Sequence, residues 1–364
     1  MKQALFLIGT SVTRDVILRG YILRHLDAAG IVPDIIFSPQ TSAAALPPIP
    51  LLDSGIRRAF IFCDPGQAAL VARELCTLAG DVITARNEVI IPADATVIRT
   101  GYYTMEIRNV QLHVLTAYTG HILPELKLDD TPRKEAVVHL LDVDRETLGR
   151  LLGQLETAFR VGTSVVEPVT GWMQCRLRSD RFGDIIGAQA HLVSHFQTVF
   201  QAEDIAEWMI ETLEAEKKSV TFAESCTGGL LSSYLTRASG ASGVFEGALV
   251  TYSNRLKSSW IAVDKTLLEK YGAVSRPVVE AMSEGALQVA GADYAIATSG
   301  IAGPTGGTPD KPVGTVFVAV RSKNALHTGR LQLHGDRNYI QEQTVLHALK
   351  MLLLLDKKTF FKIS

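Results

Sequence analysis

The sequence predicts an α/β protein in three parts: an α/β domain over residues 1–130, a small α+β unit over 131–200 and a C-terminal α/β domain over 201–364. Three observations carry that expectation. Between residues 4 and 80, short apolar runs alternate with amphipathic stretches, the pattern of strands joined by crossover helices. Residues 131–200 lack that alternation and combine a helical stretch, a strand and a closing helix. From Ser219 to Gly229, SVTFAESCTGG sets a β-prone run against a turn of small residues and a helix. A chain of 364 residues is also too long for one ordinary core.

In order along the chain, ALFLIG (4–9) reads as a strand and DVILRGYILRHLDAAGI (15–31) as a helix. PDIIFS (33–38) and RRAFIFC (57–63) are further strands, and GQAALVARELCTLAG (66–80) a second helix, together implying a parallel sheet. VDRETLGRLLGQLETAF (143–159) is helical, VTGWMQCRLRS (169–179) a strand, and 182–200 holds a strand or turn and a closing helix. LEAEKKS (213–219) ends a helix. Val220–Phe222 then feed the turn carrying Glu224, Ser225, Cys226 and Thr227, before a helix closed by Gly240. GALVTYSNRLKSSW (247–260) gives a strand ending at Tyr252, with Lys257 in the first turn of the segment after it. Residues 292–320 form a buried strand, a glycine-rich loop and a second strand, and Asp336 and Arg337 precede a long apolar-faced helix.

Composition narrows the function classes. A hydrophobic content of 47% with 20% charged residues describes a globular protein, and a net charge of −2 gives no electrostatic case for nucleic acid or membrane. The opening MKQALFLIGT is short for a signal peptide, and no run reaches the length of a membrane span. The four cysteines Cys63, Cys76, Cys175 and Cys226 show no CxxC or metal spacing, which fits reduced thiols in the cytoplasm. His191 and His195 lie four apart without an acidic ligand nearby, so no metal and no cofactor is expected.

The chemistry concentrates in the last third. A hydroxyl on a strand-to-helix turn faces the helix's free N–H groups, which suit an oxyanion or a phosphate. Serine needs a base, and a lysine desolvated among apolar neighbours can be one. The histidines near these segments all lie from position 327 onward, His334 among them, and none stands in the serine or lysine strings, so a Ser–Lys arrangement is favoured over Ser–His–Asp.

The strings AESCTGG, VTYSNRLK, YGAVSRPVVEAMSEGAL, TSGIAGPTGG, KPVGTVFVAV and GDRNYI run collinearly over residues 201–355. In them the chain resembles the C-terminal domain of the CinA family, also found alone as the nicotinamide-nucleotide amidohydrolase PncC. That resemblance implies metal-free hydrolysis of the carboxamide of nicotinamide mononucleotide to nicotinic acid mononucleotide and ammonia, in pyridine-nucleotide salvage, by a homodimer. It agrees with the residue chemistry on Ser225 as nucleophile and Lys257 as general base, with Tyr252 relaying a proton or orienting the serine. Ser299 falls where the family carries a threonine or serine lining the pocket. Backbone N–H groups around Thr227 and Gly228 are candidates for the oxyanion hole, with Gly229 and Asn254 beside them. The loop containing Gly300 and Gly303 admits close backbone approach, and Arg337 is the candidate phosphate partner. Cys226 is the rival nucleophile, lowered in pKa if it faced the helix start.

Three departures matter. The family pattern places an arginine where this chain has Gln341, which is expected to affect affinity for phosphate and not the reaction. The N-terminal domain resembles, in architecture, the molybdopterin-binding-like domain of long family members. Its glycine-rich cradle and paired aspartates are missing, only Asp64 and Gly66 remaining, so the fold is expected without the pyrophosphatase reaction and with a structural or dimerising role. The middle unit occupies the place of a KH-like domain but has no GxxG loop, so it reads as a spacer without nucleic-acid binding. The alternatives are a non-catalytic accessory protein of competence or DNA damage, and a bifunctional enzyme with ADP-ribose pyrophosphatase activity, which alone of the three would need divalent metal.

Overall fold

A computed structural model describes residues 2–38, 55–86, 89–126, 134–179 and 182–361. The chain divides into two compact units, Met1–Pro132 and Arg133–Ser364. The expected boundary at 130/131 lies outside the described residues.

The first unit contains β1 (Lys2–Ile8), α1 (Thr10–Arg14), α2 (Val16–Ala28), β2 (Ile35–Phe37), β3 (Ile56–Cys63) and α3 (Ala68–Ala79). A ribbon of β4 (Ile83–Arg86) and β5 (Val89–Pro92) comes next, then β6 (Thr96–Arg99), β7 (Tyr102–Ile107) and β8 (Val110–Thr116). Asp15 starts α2 by accepting from the N–H groups of Ile17 and Leu18 at 2.9 and 3.0 Å. The sheet order is β2-β1-β3-β8-β7-β6. Only β2, β1, β3 and β8 run parallel; β8–β7 and β7–β6 are antiparallel. The expectation of a parallel sheet therefore holds for four strands and fails at one edge. There Arg108 and Asn109 both adopt positive φ and close the two-residue turn of a hairpin, where no crossover helix fits. Asp64, the remnant of the expected cradle, accepts from the N–H groups of Ser11 and Val12 at 3.0 and 3.2 Å, so its carboxylate is engaged within the fold.

The second unit opens with β9 (Lys134–Leu141), α4 (Arg145–Ala158), β10 (Gly162–Val169), β11 (Trp172–Ser179), α5 (Ile185–His195) and β12 (Val199–Gln201). Its strands form an antiparallel sheet, β10-β11-β9-β12. The fully buried Trp172 donates its indole N–H to His139 Nδ1 at 3.0 Å, while His139 Nε2 lies 3.1 Å from Ala202 O. Indole only donates, so His139 is the neutral tautomer carrying its proton on Nε2. Burial lowers its pKa to about 4. The unfolded histidine, near 6.5, binds a proton that the folded one refuses, so stability falls as pH drops from about 6.5 through about 4. His139→Gln keeps one donor and one acceptor without titrating. The expected result is a flatter dependence of Tm on pH in that interval; an unchanged slope would assign the acid sensitivity elsewhere.

The rest of the unit contains α6 (Ile205–Ala215), β13 (Val220–Glu224), α7 (Leu230–Thr236), β14 (Phe245–Val250), α8 (Asn254–Ile261), α9 (Lys265–Tyr271) and α10 (Arg276–Ala290). Then come β15 (Tyr294–Gly300), β16 (Thr315–Ser322), β17 (Leu326–Gln332), α11 (Arg337–Leu355) and α12 (Lys357–Phe361). The sheet order is β14-β13-β15-β16-β17, with β14 and β15 both parallel to β13 and the last two strands antiparallel. Every residue of β13 is buried because both sheet faces are covered. One face packs on α6, α7 and α11 and continues into Leu141, Val169, Trp172 and Phe200 of the antiparallel sheet. The other packs on α8, α9 and α10. At Gly285 of α10, a Cβ would lie 1.9 Å from the carbonyl oxygen of Ile261, so only glycine lets α10 reach the end of α8.

This topology places the site. The loops after β13, β14 and β15 leave the carboxyl ends of three adjacent parallel strands; the chain runs from β13 to β14 on one side of it and then crosses back to β15 on the other. A crevice at such an edge is where open α/β sheets take ligands.

Candidate active site

Ser225 is the first residue beyond β13, and its backbone N–H donates to Thr298 O at 3.0 Å. Glu224, the last residue of the strand, is completely buried, with its carboxylate turned under the start of α7. It accepts from the N–H groups of Gly229, Leu231 and Ser232 at 2.9, 3.1 and 2.9 Å, and from the Ser232 hydroxyl. The N–H groups of Leu230 and Ser233 go to Thr227 O and Gly229 O. The expectation of free helix donors facing the serine is therefore corrected: the start of α7 is capped from within, by an anion already in the chain.

Ser253 caps α8 through Leu256 N–H at 3.2 Å, which sets Lys257 one turn in and pointing back toward β13. Lys257 is 1% exposed. Its Nζ lies 3.0 Å from Ser225 Oγ, 2.8 Å from Thr251 O and 3.2 Å from Tyr252 O. Burial lowers its pKa to about 8. The partners explain why burial dominates: two are neutral carbonyls and one a hydroxyl. Two fixed carbonyls use two of the amine's N–H bonds. The third direction points at Ser225 Oγ, carrying an N–H when the lysine is charged and a lone pair when it is neutral. One geometry thus serves proton removal and proton return.

The remaining candidates sort around this pair. The Tyr252 side chain is exposed, and its hydroxyl accepts from Arg337 Nη2 at 3.1 Å, so Tyr252 meets Lys257 through its carbonyl and not its phenol. Arg337 Nη1 also donates to Gly303 O at 2.8 Å, tying the glycine-rich loop to the turn after β14. Among the described residues Arg337 has no carboxylate partner, leaving a cation open to an anionic ligand. The Ser299 hydroxyl donates to Ala273 O at 2.8 Å and lies outside the hydrogen-bonded set around Ser225. Thr227 Oγ1 pairs with Thr298 Oγ1 at 2.8 Å. Gly228 N–H is taken by Ser225 O at 3.2 Å and Gly229 N–H by Glu224, whereas Thr227 N–H has no protein acceptor among the described residues. Asn254 is exposed in the first turn of α8. Gly300 ends β15, where a Cβ would sit 2.7 Å from Cγ2 of Val316 on the neighbouring strand.

Cys226 is 5% exposed, and burial pushes its thiol up to about 12, which removes the thiolate a rival nucleophile would need. Sequence reasoning missed Glu224, Thr251 and Thr298 as parts of the site. Glu224 stands inside the AESCTGG string, and an acid beside a helix start was the available signal; Thr251 acts through its main chain, which no side-chain pattern reveals.

Residues 202–355 match the family model of the CinA C-terminal domain. A protein of Thermoanaerobacter pseudethanolicus named for competence and damage induction is 37% identical over 231 residues, 62% of this chain and 53% of its own length. A CinA-like protein of Thermotoga neapolitana is 47% identical over 150 residues, 41% of this chain and 36% of its own. The chain thus spans between about a third and about half of the length of these curated relatives. The crystal structure of a competence/damage inducible protein from Agrobacterium tumefaciens is 38% identical in sequence, covering 43% of this chain and 97% of that one, with a TM-score of 0.41. The matched domain, with 47% identity to the Thermotoga neapolitana protein over 150 residues, makes residues 202–355 similar to the CinA C-terminal domain.

Proposed function

We propose that the C-terminal domain hydrolyses the carboxamide of nicotinamide mononucleotide to nicotinic acid mononucleotide and ammonia. The observation that carries this reading is the buried Lys257 amine 3.0 Å from Ser225 Oγ, with two backbone carbonyls holding its other N–H bonds. Ser225 Oγ attacks the amide carbon as its proton passes to Lys257 Nζ. The tetrahedral oxyanion takes a hydrogen bond from Thr227 N–H. Collapse breaks the C–N bond, and Lys257 returns the proton to the departing nitrogen as ammonia. Water then attacks the acyl-serine, losing its proton to the neutral lysine, and the acid and free Ser225 result. Arg337 keeps three of its five N–H donors for the phosphate, two being directed at Gly303 and Tyr252.

The names of the relatives suggest a second reading, a non-catalytic accessory to competence or damage responses. A buried lysine without a carboxylate argues against it, since such a group destabilises the fold and a scaffold gains nothing from it. The test is ammonia release from nicotinamide mononucleotide by the purified chain in the presence of a chelator. Release by wild type, lost in Ser225→Ala and Lys257→Ala, is the expected result. Activity surviving in Ser225→Ala would remove the nucleophile, and no release from wild type would remove the substrate.

A further inference from the structure

Resting on that reading of Ser225, we propose that Gln341 is a positioning residue that aims the Thr227 N–H at the oxyanion, and not a ligand for phosphate. Gln341 Nε2 donates to Cys226 O at 2.6 Å, across 115 residues of sequence. The other carbonyls of the turn are held by the turn itself, Ser225 O by Gly228 N–H and Thr227 O by Leu230 N–H. Ser225 N–H is fixed by Thr298 O, and the downstream end by Glu224. The peptide joining Cys226 to Thr227 is thus the one plane of the turn whose carbonyl is anchored from another element. A trans peptide is rigid and points its C=O and N–H in opposite directions, so holding the carbonyl fixes the N–H. That N–H and the N–H of Cys226 are the donors beside Ser225 left without a protein acceptor among the described residues, and only the Thr227 N–H shares its peptide plane with the carbonyl that Gln341 holds.

The placement on α11 supports the same role. Arg337 and Gln341 are one helical turn apart and share a face. Arg337 grips Gly303 of the glycine-rich loop and Tyr252 of the turn after β14, and Gln341 grips the nucleophile turn. The first turns of α11 therefore hold all three loops of the crevice. With one of its two amide N–H bonds committed to Cys226 O, Gln341 keeps a single uncharged donor, which leaves the anion's charge to Arg337. This chain accordingly performs with an uncharged amide an orienting task for which only a donor of the right reach is required.

The experiment compares Gln341→Leu, Gln341→Glu and Gln341→Arg by two readouts, acylation of Ser225 by p-nitrophenyl acetate and steady-state hydrolysis of nicotinamide mononucleotide. The ester tests nucleophile, base and oxyanion donor without the nucleotide. Leucine offers no donor and an ionised glutamate only acceptors, so both variants should acylate about 10- to 100-fold more slowly per active site, short of the full loss of an oxyanion donor. KM for the nucleotide should stay within about twofold, because phosphate is held elsewhere. The pH midpoint set by Lys257 should not move, and Gln341→Arg, which restores an N–H donor, should recover most of the rate. A merely structural role would lower Tm and burst amplitude while leaving the rate constant per active site intact, and that outcome overturns the proposal. So would a raised KM with unchanged kcat in Gln341→Leu, the behaviour of an anion ligand, or a wild type inert toward the ester. Slowed ester acylation in Gln341→Leu with no ammonia released by wild type would uphold the role of Gln341 and overturn the assigned nucleotide.

Discussion

Exchanging Lys257 for methionine is expected to lower kcat for amide hydrolysis about 10²- to 10⁴-fold while leaving the fold as stable as before or more so. The two effects have one origin. At its ordinary pKa of 10.5 a lysine at pH 7.5 is neutral in only about one molecule in a thousand; at about 8 the neutral fraction is about a quarter. Burial creates that base, and it does so by penalising the ammonium. Moving the pKa from 10.5 to about 8 corresponds to about 3 kcal/mol of destabilisation at neutral pH, which an apolar side chain of similar length removes. For wild type, kcat/KM should climb about tenfold per pH unit below 8 and level off above it, since the neutral amine is the active form. A variant that keeps wild-type activity, or a flat pH profile from 6 to 9, would dismiss Lys257 as the base. A large fall in Tm would show instead that the ammonium stabilises the fold.

Glu224→Ala should have the largest effect on stability of any single change in the site. It strips the acceptor from three backbone N–H groups and the Ser232 hydroxyl at the start of α7, where Leu231 is buried and Gly229 and Ser232 are part-buried. Each orphaned donor costs about 1–3 kcal/mol, so a total of at least about 3 kcal/mol is expected even if water reaches some of them. In a unit of this size that lowers Tm by on the order of 10 °C. The turn that carries Ser225 should loosen with it, so the Ser225 burst with an activated ester should fall in rate and amplitude. Glu224→Gln keeps one acceptor oxygen but turns an NH₂ toward N–H groups, and should lie between. Thermal melts of the three proteins check this, and a Glu224→Ala melt within about 2 °C of wild type would refute the internal cap.

Local features of the chain settled a good deal. β13, the helices opened by Asp15 and Asp336, and the glycine-rich loop after β15 were legible because hydrophobic runs, caps and glycine act over a few residues. The reactive types Ser225 and Lys257 were legible for a related reason, since each sits at a chain reversal of recognisable composition. The antiparallel edge β6–β8 and the strands β9 and β10 were not read, because hairpin strands carry a weaker and shorter pattern than helices.

What depended on tertiary structure was which atoms meet. Tyr252 looked like a participant through its phenol, yet it supplies a carbonyl to Lys257 and gives its hydroxyl to Arg337. Gln341 looked like a lost anion ligand and instead reaches Cys226. Main-chain carbonyls are the same at every residue and leave no mark on the sequence, so no pattern of letters could announce them. The pKa of Lys257 follows from the company it keeps across the sheet edge, a property of packing. The amino-acid sequence alone therefore singled out Ser225, Lys257 and the elements bearing them as candidates, through short-range propensity and side-chain chemistry. The three-dimensional arrangement decided the lowered pKa of Lys257, the direction of the Thr227 N–H and the capping of α7, because burial and long-range hydrogen bonds exist only once distant segments are packed together.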